Sequence, residues 1–302
     1  MSGYAIAIIA ALLWSFTNLI DKYLIQKYCK DGGIGALVIL SALFPIVILP
    51  VAVLMSNQTI ALPLLQIMIL MISGVLGVGL LYFYLSALYT DEVSLVMPLF
   101  QITPLFALLF GFFVLAEMPT TTQLLFGGIV LFGAFILSIE RTTGRIKIQL
   151  VLNVVLSSAL IALTNTLFKF VAIDFDFWIS IFWQALGTFA TGIFLLIFHD
   201  RWRNEFKCFV TENLGLGVSL NAANEMLTIC GDLLFAYAIL LAPLALIQTT
   251  EAYQPVFVFI FGLLLTFFVP KWVHEDISRG AIIQKALGIT IVVIGSALLA
   301  LQ

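Results

Sequence analysis

The sequence predicts an all-α integral membrane protein, with ten transmembrane helices arranged as two inverted five-helix repeats. Three observations carry that expectation. Of 302 residues, 63% are hydrophobic and 10% are Asp, Glu, Lys or Arg, where a soluble domain has about 45–50% and about 25%. Ten apolar stretches each approach the length of about 20 residues that crosses a hydrocarbon core. Polar and proline landmarks of the first half return, in order, in the second. The mean hydropathy of +1.18 excludes a soluble enzyme, a disordered chain and a disulfide-stapled secreted domain, because so few charged side chains cannot cover a water-facing surface.

The spans run, by residue number, 3–25, 34–54, 64–88, 93–115 and 123–139 in the first half. The second half gives 150–171, 177–197, 214–240, 243–268 and 281–301. The N-terminus has no basic region and no small-residue cleavage site, so it reads as the first span rather than a signal peptide. The runs are unbroken, whereas barrel strands alternate apolar and polar residues, which excludes a membrane barrel. Pro98, Pro104, Pro243 and Pro255 mark bending points inside or at the start of the fourth and ninth spans. The connections are short, leaving no room for a separate soluble domain.

The net charge of −3 provides no basic footprint for nucleic acid. Twelve of thirteen basic residues fall in or beside the loops after spans one, five, seven and nine, and the other is Lys169. Basic residues in short loops favour the cytoplasm. The charge pattern therefore places both termini on the non-cytoplasmic side of a cell inner membrane. Cys29, Cys208 and Cys230 are scattered and read as packing or incidental thiols.

Residues 1–142 and 143–302 read as two copies of one unit. Thr17, Asn18, Lys22 and Tyr23 in the first span match Thr164, Asn165, Lys169 and Phe170 in the sixth. Pro104 and Gly111 in the fourth span match Pro255 and Gly262 in the ninth, and Tyr84 and Ala87 match Phe235 and Ala238. An odd number of spans per copy forces the copies to cross the membrane in opposite senses. That build places a solute site near the midplane, at the interface of the repeats.

The stretch from Trp14 to Asn18 and the run Ser94 to Pro98, followed by Pro104 and Glu117, carry a family resemblance. So do Gly127, Gly128 and Gly133 in the fifth span and Gly288 and Gly295 in the tenth. With these residues the chain resembles the drug/metabolite transporter superfamily, specifically its EamA-like ten-helix members, over essentially its whole length. The resemblance implies a solute transporter. Two departures stand out. The second copy has no clear counterpart of Glu117, and the family's usual charge pattern would place the termini in the cytoplasm.

A charged side chain at membrane depth costs at least about 2.5–3.5 kcal/mol, so Lys22, Lys169, Glu225, Asp232, Glu251 and Asp21 are each candidate site residues. Glu251 lies in the middle of the ninth span, about 6 Å along the axis from Pro255 and on one face with Gln248. It either carries a proton or pairs with a cationic solute, or it is structural glue salt-bridged to Lys22 or Lys169. Asn221, Glu225 and Asp232 stack along one stripe of the eighth span, which must face the bundle interior. Lys22 and Lys169 either reach the interior or snorkel to the interface. Asn18 and Asn165 offer donors and acceptors to a solute or to neighbouring helices. Trp14 and Gln101 sit on the polar or proline-marked faces of their spans, and Tyr82, Tyr84, Trp183, Gln184 and Tyr253 either line the pathway or serve packing and interface anchoring. Pro98, Pro104 and Pro255 are the helix-bending positions.

No phosphate-binding loop, metal-ligand spacing or hydrolase motif occurs, so no catalytic residue, metal or cofactor is expected. The expected function is secondary transport of a small polar organic solute such as an amino acid or amine. Alternating access, driven by protons or simply facilitative, is the expected mechanism. The expected partners are that solute, the lipid bilayer and protons, in a monomer or homodimer without nucleic acid. The alternative is a membrane-embedded enzyme, or a subunit of a lipid-modifying complex.

Overall fold

In a computed structural model, residues 3–29, 33–56, 60–118, 120–138, 147–268 and 278–300 are described. Every regular element among them is helical. Inside a bilayer no water satisfies backbone N–H and C=O groups, so apolar segments close their hydrogen bonds within themselves. The first half comprises α1 (Gly3–Tyr28), α2 (Gly35–Leu43), α3 (Ile48–Met55), α4 (Leu64–Thr90), α5 (Val93–Leu99), α6 (Thr103–Leu115) and α7 (Thr121–Ser138). The second comprises α8 (Ile148–Ala172), α9 (Phe177–Phe198), α10 (Asp200–Glu212), α11 (Leu216–Leu241), α12 (Leu244–Gln248), α13 (Tyr253–Phe268) and α14 (Arg279–Ala300).

Eight helical segments among the described residues are long and apolar enough to cross a membrane, as a multi-pass membrane protein requires. They coincide with eight of the stretches read from the sequence. Helices α7 and α14 occupy the remaining two stretches and pack on each other. The basic residues Lys30, Arg141, Arg145 and Lys271, which weighed in the charge count, lie outside the described residues.

The second, fourth and ninth stretches are each broken by a 3₁₀ turn, at Phe44–Val47, Phe100–Ile102 and Thr249–Ala252. Proline explains the last two. Pro104 and Pro255 have no N–H to give to the carbonyl four residues back, so the helical ladder fails there. In the fourth stretch the Thr103 hydroxyl bonds the freed carbonyl of Phe100 at 2.6 Å. Pro98, expected to bend the same stretch, lies within α5 one residue before its end.

The segment after α9 corrects the sequence reading, which took it for a loop. It is the helix α10. Trp202, Phe206, Phe209 and Val210 fall on one stripe at helical spacing. Phe209 is buried and the helix packs on α2. Arg201 pairs with Glu205 at 3.0 Å and Arg203 with Asp200 at 2.6 Å along its polar side.

The helices enclose a central space. Helix α4 packs along α8, and α1 along α11; α4 also packs tightly on α9. At that last crossing a Cβ on Gly74 would stand 2.3 Å from the Gln184 carbonyl oxygen, and one on Gly187 would stand 2.4 Å from that of Met71. Only glycine permits so close an approach. Helices α2 and α11, by contrast, do not pack as a pair.

Candidate functional site

The space between the helices is a cavity of about 380 Å³. Its lining comes from α1, α4, α8, α9 and α11 and from the three broken stretches. The second stretch, in which no candidate was named, supplies Ser41 and Pro45; the seventh supplies the candidate Gln184 and, with it, Thr188.

Of the residues singled out in the sequence as site candidates, Trp14, Asn18, Asp21, Tyr84, Asn165, Gln184, Glu225, Asp232 and Glu251 reach this wall, and Tyr82, Trp183 and Tyr253 do not. Helix α11 explains two of those that do. Its cavity face runs through Asn224, Glu225, Thr228, Ile229, Asp232 and Leu233, a stripe one helical period wide. Asn221 is buried one turn earlier and does not line the space.

Four carboxyl groups face the cavity, each held differently. Asp21 accepts from Asn224 Nδ2 at 2.6 Å, and the Tyr84 hydroxyl lies 2.7 Å from its other oxygen. That hydroxyl is also 2.7 Å from Asn18 Oδ1, and its one proton serves only one of the two acceptors at a time. Glu225 accepts from the Ser41 hydroxyl of α2. Asp232 accepts from Trp14 Nε1 at 3.0 Å. The carboxyl of Glu251 has no hydrogen-bond or ion-pair partner among the described residues, although the residue is only 6% exposed. Asn165 likewise lines the cavity with an unpartnered amide, unlike its sequence mate Asn18.

Lys22 and Lys169, left open between the interior and the interface, are both buried, but away from the cavity wall. Lys22 donates to the carbonyls of Leu88 and Asp91, at 2.6 and 2.7 Å, at the end of α4. Lys169 donates to the carbonyl of Ala242 at 2.8 Å, just past the end of α11, and pairs with Glu117 at 2.9 Å. Both ammonium groups thus sit on helix C-termini, where exposed carbonyls concentrate negative charge. Neither lines the cavity, so a Glu251 glued to one of them is not what the fold builds. Adjacent residues on a helix point about 100° apart. With Asp21 facing the cavity, Lys22 must turn away.

Gln101 and Gln248 are also off the wall, buried where the two proline-broken stretches, the fourth and the ninth, meet. Gln101 Nε2 donates to the carbonyl of Glu251 at 2.9 Å, the very group that Pro255 leaves without its helical donor. Both amide heteroatoms of Gln248 lack partners. Pro98, Pro104 and Pro255 lie outside the lining and act through the backbone.

Sequence reasoning left Ser41, Asn224 and Met97 out of its candidate list and named Asp21 only among the charged residues at membrane depth. The signal for Asn224 was its place beside Glu225 on the polar stripe. Ser41 sits in an otherwise apolar stretch that gives no such signal. Among the described residues no group of three or more His, Cys, Asp and Glu is placed to hold a metal ion.

Comparison with known proteins adds to this geometry. A solved structure described only as "Crystal structure of protein" matches with a TM-score of 0.65 at 18% identity. The match covers 99% of this chain and 96% of that one, and at such identity it shows the fold alone. No curated protein matches. The model of the EamA-like transporter family matches residues 1–139, from the first span to the fifth, and this part of the chain is therefore similar to that family, in line with the resemblance read there.

Proposed function

We propose that the chain is a secondary transporter that moves a small polar organic solute across a membrane by alternating access, with the central cavity as its binding site. The observation that carries this reading is the junction of the two broken stretches beside the cavity. Broken helices with freed carbonyls at membrane depth are tolerated where they line a cavity or are buried in protein, and in transporters they frame the solute. Here Phe100 and Glu251, at the two breaks, both line the space, and Gln101 bonds one break to the other.

Ten spans in two inverted units, 1–142 and 143–302, complete the proposal. Several pairs of contacts support it. Lys22 reaches the carbonyl of Asp91, and its sequence mate Lys169 reaches that of Ala242; the offset from Asp91 to Ala242 is the one that relates Pro104 to Pro255. The packing of α4 on α8 is mirrored by that of α11 on α1, as exchange of the two units requires. Glu251 and Glu225 take the roles of proton coupling or cation binding in this scheme. Asn18, Asn165, Asp232 and Trp14 contact the solute.

The test is solute-driven current in proteoliposomes, with amino acids, amines, nucleosides and sugar phosphates presented at two pH values. A current that Glu251→Gln abolishes is the expected result. Well-folded protein that carries no current with any of these solutes overturns the transporter reading in favour of a complex subunit or an enzyme.

A further inference from the structure

The removal of both lysines from the cavity wall changes the chemistry that the cavity selects. Asp21, Glu225, Asp232 and Glu251 face the space, and among the described lining residues there is no Lys, Arg or His. Positive charge must therefore come from whatever enters. A carboxylate in low dielectric repels an anion strongly, and it gives the acid group of a zwitterion no partner. Glu251 sharpens the point, being 6% exposed with an unpartnered carboxyl on the wall.

We infer that the solute is an organic dication, an aliphatic diamine or longer polyamine, held at its two ends by Glu225 and Asp232. This rests on the transporter reading of the same cavity. The spacing supplies the two-ended character. Seven residues of α11 separate the carboxyls, so they lie on one face about 10 Å apart along the axis. Charge-assisted hydrogen bonds of about 2.8 Å at each end leave roughly 5 Å or more between the two nitrogens, the reach of a short diamine. The wall between them suits methylenes. Ile229 and Leu233 lie between or beside the carboxyls on α11, and Trp14, Phe168 and Phe235 supply aromatic surface. An ammonium group gains further from an aromatic face within about 6 Å. Ser41 and Trp14, the present donors to Glu225 and Asp232, are neutral, so an ammonium can replace either at a net gain in charge pairing.

The experiment is calorimetric binding to the purified chain in lipid nanodiscs, with putrescine, butylamine and γ-aminobutyrate as probes. Putrescine is expected to bind at least tenfold more tightly than butylamine, and γ-aminobutyrate more weakly than either. Glu225→Gln and Asp232→Asn should each bring putrescine to the affinity of butylamine while changing butylamine itself less than threefold. Should one variant fail to fold, the other decides. Equal binding of the mono- and diamine, tighter binding of γ-aminobutyrate, or a diamine preference that survives the substitutions overturns the inference. The two readings fail separately. Putrescine binding without flux leaves the dication site and overturns transport, whereas flux of another solute without putrescine binding does the reverse.

Discussion

Gln101 Nε2 donates to the carbonyl oxygen of Glu251 at 2.9 Å, across the junction of two broken membrane helices. Pro255 has removed the N–H that would ordinarily serve that oxygen, so the bond replaces one the helix cannot make. Substituting Gln101→Leu keeps the volume and leaves the carbonyl only the shared backbone N–H of Tyr253. A stability loss of about 1–3 kcal/mol is expected, read as a lower midpoint in thermal unfolding. An unchanged midpoint would show that the carbonyl finds another donor.

Lys169 joins three elements by donating to Glu117 beyond α6 and to Ala242 beyond α11. Glu117 also accepts from the backbone N–H of Leu244, at the start of α12. Breaking a buried pair leaves an uncompensated charge, at about 3–5 kcal/mol for a fully buried one; Glu117 is partly exposed, which lowers the expectation to about half that. Lys169→Met and Glu117→Gln should each destabilise, and the double variant should lose much less than the two losses added. Additive losses in that double-mutant cycle would sink the pairing.

At the crossing of α4 and α9, Gly187→Ala would set a methyl 2.4 Å from a backbone carbonyl oxygen. Backbone cannot yield as a side chain can, so the two helices must separate. A cost of about 1–3 kcal/mol follows from overpacking, with solute affinity changed because Gln184 and Thr188 line the cavity from this helix. Gly128→Ala on α7 is the control, since a Cβ there meets nothing within 4 Å and the residue does not line the cavity. Equal effects of the two substitutions would remove the crossing as the cause.

The cysteines report both burial and sidedness. Cys29, just past the end of α1, is buried, and desolvation pushes its thiol up to about 12. Its thiolate is therefore scarce in the folded chain at neutral pH, while the unfolded thiol ionises near pH 8.5. Stability from this group is intact below that pH and is lost as pH rises from about 8.5 toward 12. Cys208 on α10 is exposed. In a Cys230→Ser background, a membrane-impermeant maleimide should label Cys208 in inside-out vesicles and not in intact cells. Labelling in intact cells would reverse the orientation expected from the basic residues.

Much of this was legible in the sequence, for physical reasons. The cost of burying charge marked Glu225, Asp232 and Glu251, and helical periodicity placed the first two on one face. What the sequence withheld was rotation and tertiary partnership. Asp21 and Lys22 are neighbours, and only the packing of α1 decides which of them faces inward. Lys169 finds Glu117 from fifty-two residues away. Ser41 belongs to an apolar stretch whose inner face is set by its neighbours rather than by its own pattern. The period of α10 was visible, but its polarity made it read as a connection.

Where α4 and α9 are sealed by glycine against backbone, α2 and α11 are bridged by the hydroxyl of Ser41 on the carboxyl of Glu225. That carboxyl also faces the cavity. A cation that claims Glu225 and the seam that needs it therefore draw on one group, and thermodynamic reciprocity applies. Whatever free energy the bridge contributes to holding the seam is subtracted from the affinity for the cation. Ser41→Ala should consequently loosen the seam and tighten cation binding by the same factor, a latch and a lock sharing one bolt.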